Sequence, residues 1–126
     1  MPAFVATATC LNGFFVNPFP GQEYCLAEEL ARREAGGAIG VWSPTGMGYP
    51  VEHQVLFARL FDALFAPGPA TLGSVTTAAK LAAYGQGISP ELIETFALFG
   101  DPALGVPPPV GYRRLLPYVS QGSGAP

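Results

Sequence analysis

Charge is scarce in this chain of 126 residues: Asp, Glu, Lys and Arg make up 12%, nine acidic against six basic, for a formal net charge of −3. That balance supplies no basic footprint for nucleic acid, and no nucleic-acid partner is expected. Cysteine is limited to Cys10 and Cys25 and histidine to His53. Two cysteines make no disulfide framework and read as separate thiols; with a single histidine they offer no recognisable ligand spacing, so neither a metal nor a cofactor is expected. Long apolar runs are missing too. Gly, Pro or charge interrupts each one before the ~18 residues a spanning helix needs, which argues against a membrane partner. The N-terminus lacks the basic region of a signal peptide and enters a strand almost at once. A chain starting so abruptly on what reads as a central strand is expected to lack an upstream half.

What is present is apolar: 49% of residues, enough for one domain with an ordinary core. Ala3–Thr9 is a near-continuous run of apolar and β-branched residues, the pattern of a strand covered on both faces, and Asn12-Gly13 breaks it. Asn17-Pro18 and Pro20-Gly21 mark turns in the loop that follows, where Phe14, Phe15 and Phe19 read as packing residues. Cys25–Glu34 is helical, with Leu26, Leu30, Ala27 and Ala31 on one face, acidic residues in the first turns and Arg32 and Arg33 in the last. Gly36-Gly37 stops it, and Ala38–Trp42 is a second strand.

Strand, helix and strand within about forty residues make a right-handed βαβ unit with parallel strands. Parallel strands share a direction, so Cys10 and the Ser43–Tyr49 loop are expected at the same sheet edge. Downstream, Val51–Phe65 carries the stripe Val51, Val55, Leu56, Leu60, Phe61, Leu64 and Phe65, and Leu72–Tyr84 is a small-residue helix. Ser89-Pro90-Glu91 starts a further helix running into Leu92–Leu98. Gly100-Asp101-Pro102 is a turn, followed by a short segment over Ala103–Val106. Beyond Pro107-Pro108-Pro109 the composition shifts, Tyr112–Val119 has the makings of a further element, and Gln121–Pro126 reads as a tail.

Cys10 is the chemically interesting residue. It stands at the C-terminal mouth of a strand, where α/β proteins bind ligands, although the same position suits an inert core thiol. A nucleophilic cysteine works as the thiolate and needs a basic partner, together with N–H donors for the oxyanion. His53 lies in the first turn of its helix on the correct edge; the bland reading is a solvated helix histidine. Ser43, Thr45, Tyr49 and Trp42 are placed to line a pocket beside Cys10, Trp42 equally to fill the core. Gly36-Gly37-Ala38-Ile39-Gly40 precedes a strand instead of following one and is no dinucleotide loop.

These stretches, taken together, resemble the gingipain-type cysteine peptidases (family C25), clan relatives of caspases. The matching segments are Ala8–Phe14 around Cys10, Tyr24–Leu30, Gly37–Thr45 and Thr95–Leu104, in the right order over about Phe4 to Val106. The resemblance implies an α/β fold: part of a caspase-like three-layer sandwich, with parallel strands, helices on both faces, and the N-terminal strands of the sheet missing. It implies Cys10 as the catalytic nucleophile, with Ser43, Thr45 and Tyr49 beside the pocket for the residue preceding the scissile bond. It makes the Gly100-Asp101-Pro102 turn structural. In that family the catalytic histidine lies upstream of the nucleophile, in a His-Gly loop at the end of the preceding strand, and His53 matches no family histidine.

Residues 1–106 are therefore expected to be the C-terminal half of a peptidase domain and residues 107–126 a Pro/Gly-rich linker or tail. The partners implied are a peptide or protein substrate and an upstream half, or another chain, pairing with the open strand edge. The family is typically exported. Two functions of different class fit: the nucleophile half of a cysteine endopeptidase, inactive alone, or a non-catalytic module derived from one and kept for binding or assembly.

Overall fold

The βαβ pattern at the N-terminus appears in the computed structural model, which describes residues 3–16, 21 and 23–106. Strand β1 (Ala3–Ala6) leads through helix α1 (Leu26–Arg32) to β2 (Ala38–Pro44), and β1 and β2 pair in parallel with Val5 opposite Val41. Helix α2 (Pro50–Leu64), a two-residue strand β3 (Ala70–Thr71) and helix α3 (Leu72–Tyr84) follow. Helix α4 (Pro90–Thr95) then runs directly into β4 (Phe96–Gly100), and β5 (Gly105–Val106) pairs with β3. The predicted turn at Asn17-Pro18, Pro20 of the Pro20-Gly21 turn, the packing role of Phe19, and the whole of residues 107–126 fall outside the described residues.

The main sheet has the order β1-β2-β4 and is mixed. This corrects the expectation of parallel strands: β4 pairs antiparallel to β2, from Gly40 opposite Gly100 to Pro44 opposite Phe96. It also corrects the helix expected over Leu92–Leu98, which ends at Thr95. Thr95 Oγ1 donates back to Leu92 O at 2.7 Å, and Phe96 then enters an aromatic group with Trp42 (4.7 Å between centroids) and Phe57 (6.1 Å). Pairing with β2 overrides the local helical period there. Pro44, without an N–H, is tolerated beside β4 because the adjacent Thr45 N–H bonds Thr95 O at 2.8 Å and antiparallel bonds alternate. On the outer side of β4, Lys80 Nζ donates to Phe96 O at 2.5 Å, and burial lowers the pKa of that amine.

Alternation along the strands sends side chains into two apolar clusters on opposite faces of the sheet. Trp42, Phe96, Phe4, Ala6 and Leu98 meet Leu56 and Leu60 of α2, Val75, Ala79 and Ala83 of α3, and Leu92 of α4. Val41, Val5 and Phe99 meet Cys25, Ala27 and Leu30 on the other face. Leu26 is 45% exposed, so α1 buries Ala27 and Leu30 instead of the Leu26–Leu30 pair. On α2 the buried stripe is narrower than its composition suggests: Leu56 and Leu60 are fully buried, while Val51, Phe61 and Phe65 are exposed. Among the described residues β1 is an edge strand of the main sheet.

Candidate functional site

Where β1 ends, the chain makes a tight turn that carries Cys10 out of the sheet. Leu11 sits at φ 66°, the left-handed region that costs a residue with a side chain of this kind about 1–2 kcal/mol. The turn is held from three sides. Phe14 N–H bonds Leu11 O (3.1 Å), Gly13 N–H bonds Pro44 O (2.9 Å), and Ala27 N–H bonds Asn12 O (3.0 Å). A Cβ on the buried Gly13 would stand 3.0 Å from Ser43 O, so this close approach to β2 suits glycine. Asn12 Nδ2 also donates to Thr9 Oγ1. The N–H groups of Cys10 and Leu11 find no acceptor among the described residues.

The expected convergence at one sheet edge is present. The half-buried Cys10 thiol donates a long bond, 3.8 Å, to Gly48 O in the loop after β2. Beside it opens a cavity of about 550 Å³ lined by Ala8, Thr9, Cys10, Gly48, Pro50, His53, Gln54 and Phe57. Its walls carry no Asp, Glu, Lys or Arg.

His53 corrects the sequence reading. It is 4% exposed, not a solvated helix residue. Its Nδ1 lies 2.9 Å from Ala8 O, and its ring stands edge-on to Phe96 at 5.6 Å. No hydrogen bond joins it to the Cys10 sulfur.

The remaining candidates separate. Ser43 is fully buried, its Oγ 2.6 Å from Thr7 Oγ1 across the β1–β2 seam, and Thr45 Oγ1 donates to Thr95 O at 2.8 Å. Neither lines the cavity, because alternation along β2 turns Ser43 to the α1 side of the sheet. Tyr49 precedes α2 as its N-cap and is 77% exposed next to the cavity-lining Gly48 and Pro50. Trp42 is core, with no exposed surface. Asp101 is occupied within its own turn, its Oδ1 accepting Ala103 N–H at 2.8 Å. Cys25 is buried at the N-cap of α1, and burial pushes its thiol pKa up.

Gly48, Gln54 and Phe57 were not singled out from sequence. The parallel direction of β1 and β2, which brings the Ser43–Tyr49 loop to the nucleophile edge, reached Gly48 only; no sequence signal reached Gln54 and Phe57 on α2. Among the described residues no group of His, Cys, Asp and Glu is placed to hold a metal ion, and no helix is long and apolar enough to cross a membrane.

Comparison with known proteins bears on the fold and the family. No curated protein sequence matches the chain. Among solved structures it is similar to the Arg-specific cysteine proteinase gingipain R (RgpB), with a TM-score of 0.71 and 23% identity over 83% of this chain and 26% of that one. It is also similar to the complex of the Porphyromonas gingivalis RgpB pro- and mature domains, with a TM-score of 0.65 and 24% identity over 75% of this chain and 24% of that one. The chain thus spans about a quarter of the length of these structures and shares their fold over that part. The model of peptidase family C25 matches residues 1–107, which is most of the sequence, and the chain belongs to that family.

Proposed function

We propose that this chain is the nucleophile-bearing half of a cysteine endopeptidase, with Cys10 as the nucleophile. The observation that carries the reading is the position of Cys10: it leaves a strand on a strained turn, with its sulfur bordering the cavity. In the reaction the Cys10 thiolate attacks the scissile carbonyl, and the tetrahedral oxyanion accepts from the Cys10 N–H. Collapse expels the amine, which takes a proton from an imidazolium, and water then hydrolyses the thioester.

His53 is held against Ala8 and makes no bond to the sulfur, so the imidazole must come from elsewhere. We assign it to an upstream half whose strands continue the sheet past β1. On this reading residues 1–106 form part of a caspase-like three-layer sandwich and residues 107–126 a linker or tail. The cavity takes the side chain preceding the scissile bond, with Tyr49 at its rim. Thr45 and Ser43 support that pocket from behind through β2 and its loop.

The experiment is a fluorogenic peptide assay. The purified 126-residue chain should show no turnover, and addition of the upstream half should restore it unless Cys10 is replaced (Cys10→Ala). Turnover by the isolated chain overturns the half-site reading. Full turnover by the reassembled Cys10→Ala protein removes Cys10 as nucleophile.

The second reading is a non-catalytic binding or assembly module. It is favoured by the lone histidine being tied to Ala8 and by the Gly48 carbonyl being the only hydrogen-bond partner of the thiol among the described residues. Iodoacetamide separates the two: in the reassembled domain a catalytic Cys10 reacts well below the ordinary thiol pKa of about 8.5, an inert one does not.

A further inference from the structure

Two chain segments set where the Cys10 sulfur stands: the exit from β1 through Ala8 and Thr9, and the Gly48 carbonyl that receives the thiol. Both rest on one side chain. His53 Nδ1 is 2.9 Å from Ala8 O, and since a carbonyl only accepts, the ring donates through Nδ1. On the other side, a Cβ built on Gly48 would lie 2.6 Å from His53 Nε2 and would overlap Leu92, so ring and Gly48 backbone are in direct packing. Nε2 itself is buried without a partner among the described residues. For packing alone a hydrocarbon would serve better, because burying an unpartnered ring nitrogen opposes folding. What an imidazole adds at this place is the Nδ1–H.

We propose that His53 is a positioning residue for Cys10, fixing through Ala8 O and the Gly48 backbone the two segments that hold the thiol at the cavity mouth. The inference rests on the reading of Cys10 as the nucleophile position. It assigns His53 no proton transfer, consistent with the absence of a bond to the sulfur. The N-terminus of α2 makes the anchor rigid: His53 N–H bonds Tyr49 O at 3.1 Å, and Phe96 meets the ring edge-on.

The test compares iodoacetamide alkylation of the full chain with that of His53→Phe, His53→Leu and His53→Asn. Mass spectrometry reads each cysteine at about pH 8.5, where an ordinary thiol is half ionised. Thermal melting runs alongside, and buried Cys25 is the internal reference. The two apolar variants are expected to melt no lower than wild type yet alkylate Cys10 about three- to tenfold faster, the range that losing one hydrogen bond gives. His53→Asn, whose amide N–H replaces Nδ1–H, should stay within about twofold of wild type on the same scale.

A folded phenylalanine or leucine variant alkylating at the wild-type rate overturns the proposal. So does an asparagine variant as fast as the apolar ones. If neither apolar variant folds, His53→Asn decides by itself, a wild-type rate supporting the proposal and a raised rate overturning it. The peptidase reading is judged separately, by restoration of turnover with the upstream half, so either can fail while the other stands.

Discussion

Leu11 is where the site stores strain. Its left-handed backbone follows the nucleophile candidate directly, and its side chain, 38% exposed, recovers little by burial. The surrounding bonds from Gly13, Phe14 and Ala27 hold the turn in place. Leu11→Asn should therefore stabilise the chain by about 1 kcal/mol in a urea titration, since asparagine tolerates that conformation. The Cys10 alkylation rate should be unchanged. A loss of stability would mean that the Leu11 side chain contributes more than its backbone costs. The position of Cys10 was legible in sequence because a thiol at a strand end, two residues before Asn12-Gly13, is a visible pattern. His53 was legible only as a residue type. Whether it faced water or the core depended on how α2 turned against β1, about which its neighbours Glu52 and Gln54 say nothing.

At the scale of elements, the helices carry the clearest local signals. Leu72–Tyr84 is helical over the range its composition suggests, because Thr71 caps it, accepting from Ser74 N–H at 3.2 Å, and Gly85 follows its last residue. Helix α4 was misjudged past Thr95 because an apolar run after Ser-Pro-Glu carries the same local signal whether or not a partner strand waits beside it. That helix is tied to α2 by Glu52, whose carboxylate accepts Ser89 N–H at 3.0 Å. This bond holds the carboxyl below its ordinary pKa. A carboxyl depressed in the folded state adds stability above its unfolded pKa, roughly 4.3, and loses it as pH falls through the folded value. Glu52→Gln should thus be slightly less stable than wild type near neutrality, and the two should converge in acid, as denaturant titrations across pH would show. The effect is small because the carboxylate is open to solvent. A gap that persists at about pH 2, below both pKa values, would point to a packing change instead.

On the scale of the whole molecule, the main consequence of the architecture is that β1 has no second neighbouring strand among the described residues. Thr7 N–H bonds Trp42 O at 3.0 Å, and alternate residues of a strand turn their polar groups to the same side, so the Ala6 N–H points away from β2. Such an edge is a template for another strand. Without an upstream half, a second copy is the available occupant. Wild-type chain should shift toward a dimer with rising concentration in sedimentation velocity, whereas Ala6→Pro, which removes one outward N–H and leaves the β1–β2 ladder intact, should stay monomeric. A wild-type chain that stays monomeric throughout would show that the edge is protected in some other way.

The sequence by itself determined the βαβ unit and the helix starts, because these reside in short-range patterns of cap, period and strand end, and its motif stretches carried the family. Tertiary structure decided what depended on partners distant in the chain. Pairing with β2 made Phe96–Gly100 an antiparallel strand. The face alternation of β2 sent Ser43 to a buried seam and left the cavity to Gly48, Pro50 and Phe57. The packing of α2 carried His53 inward to Ala8, a contact 45 residues away in sequence that no local pattern encodes.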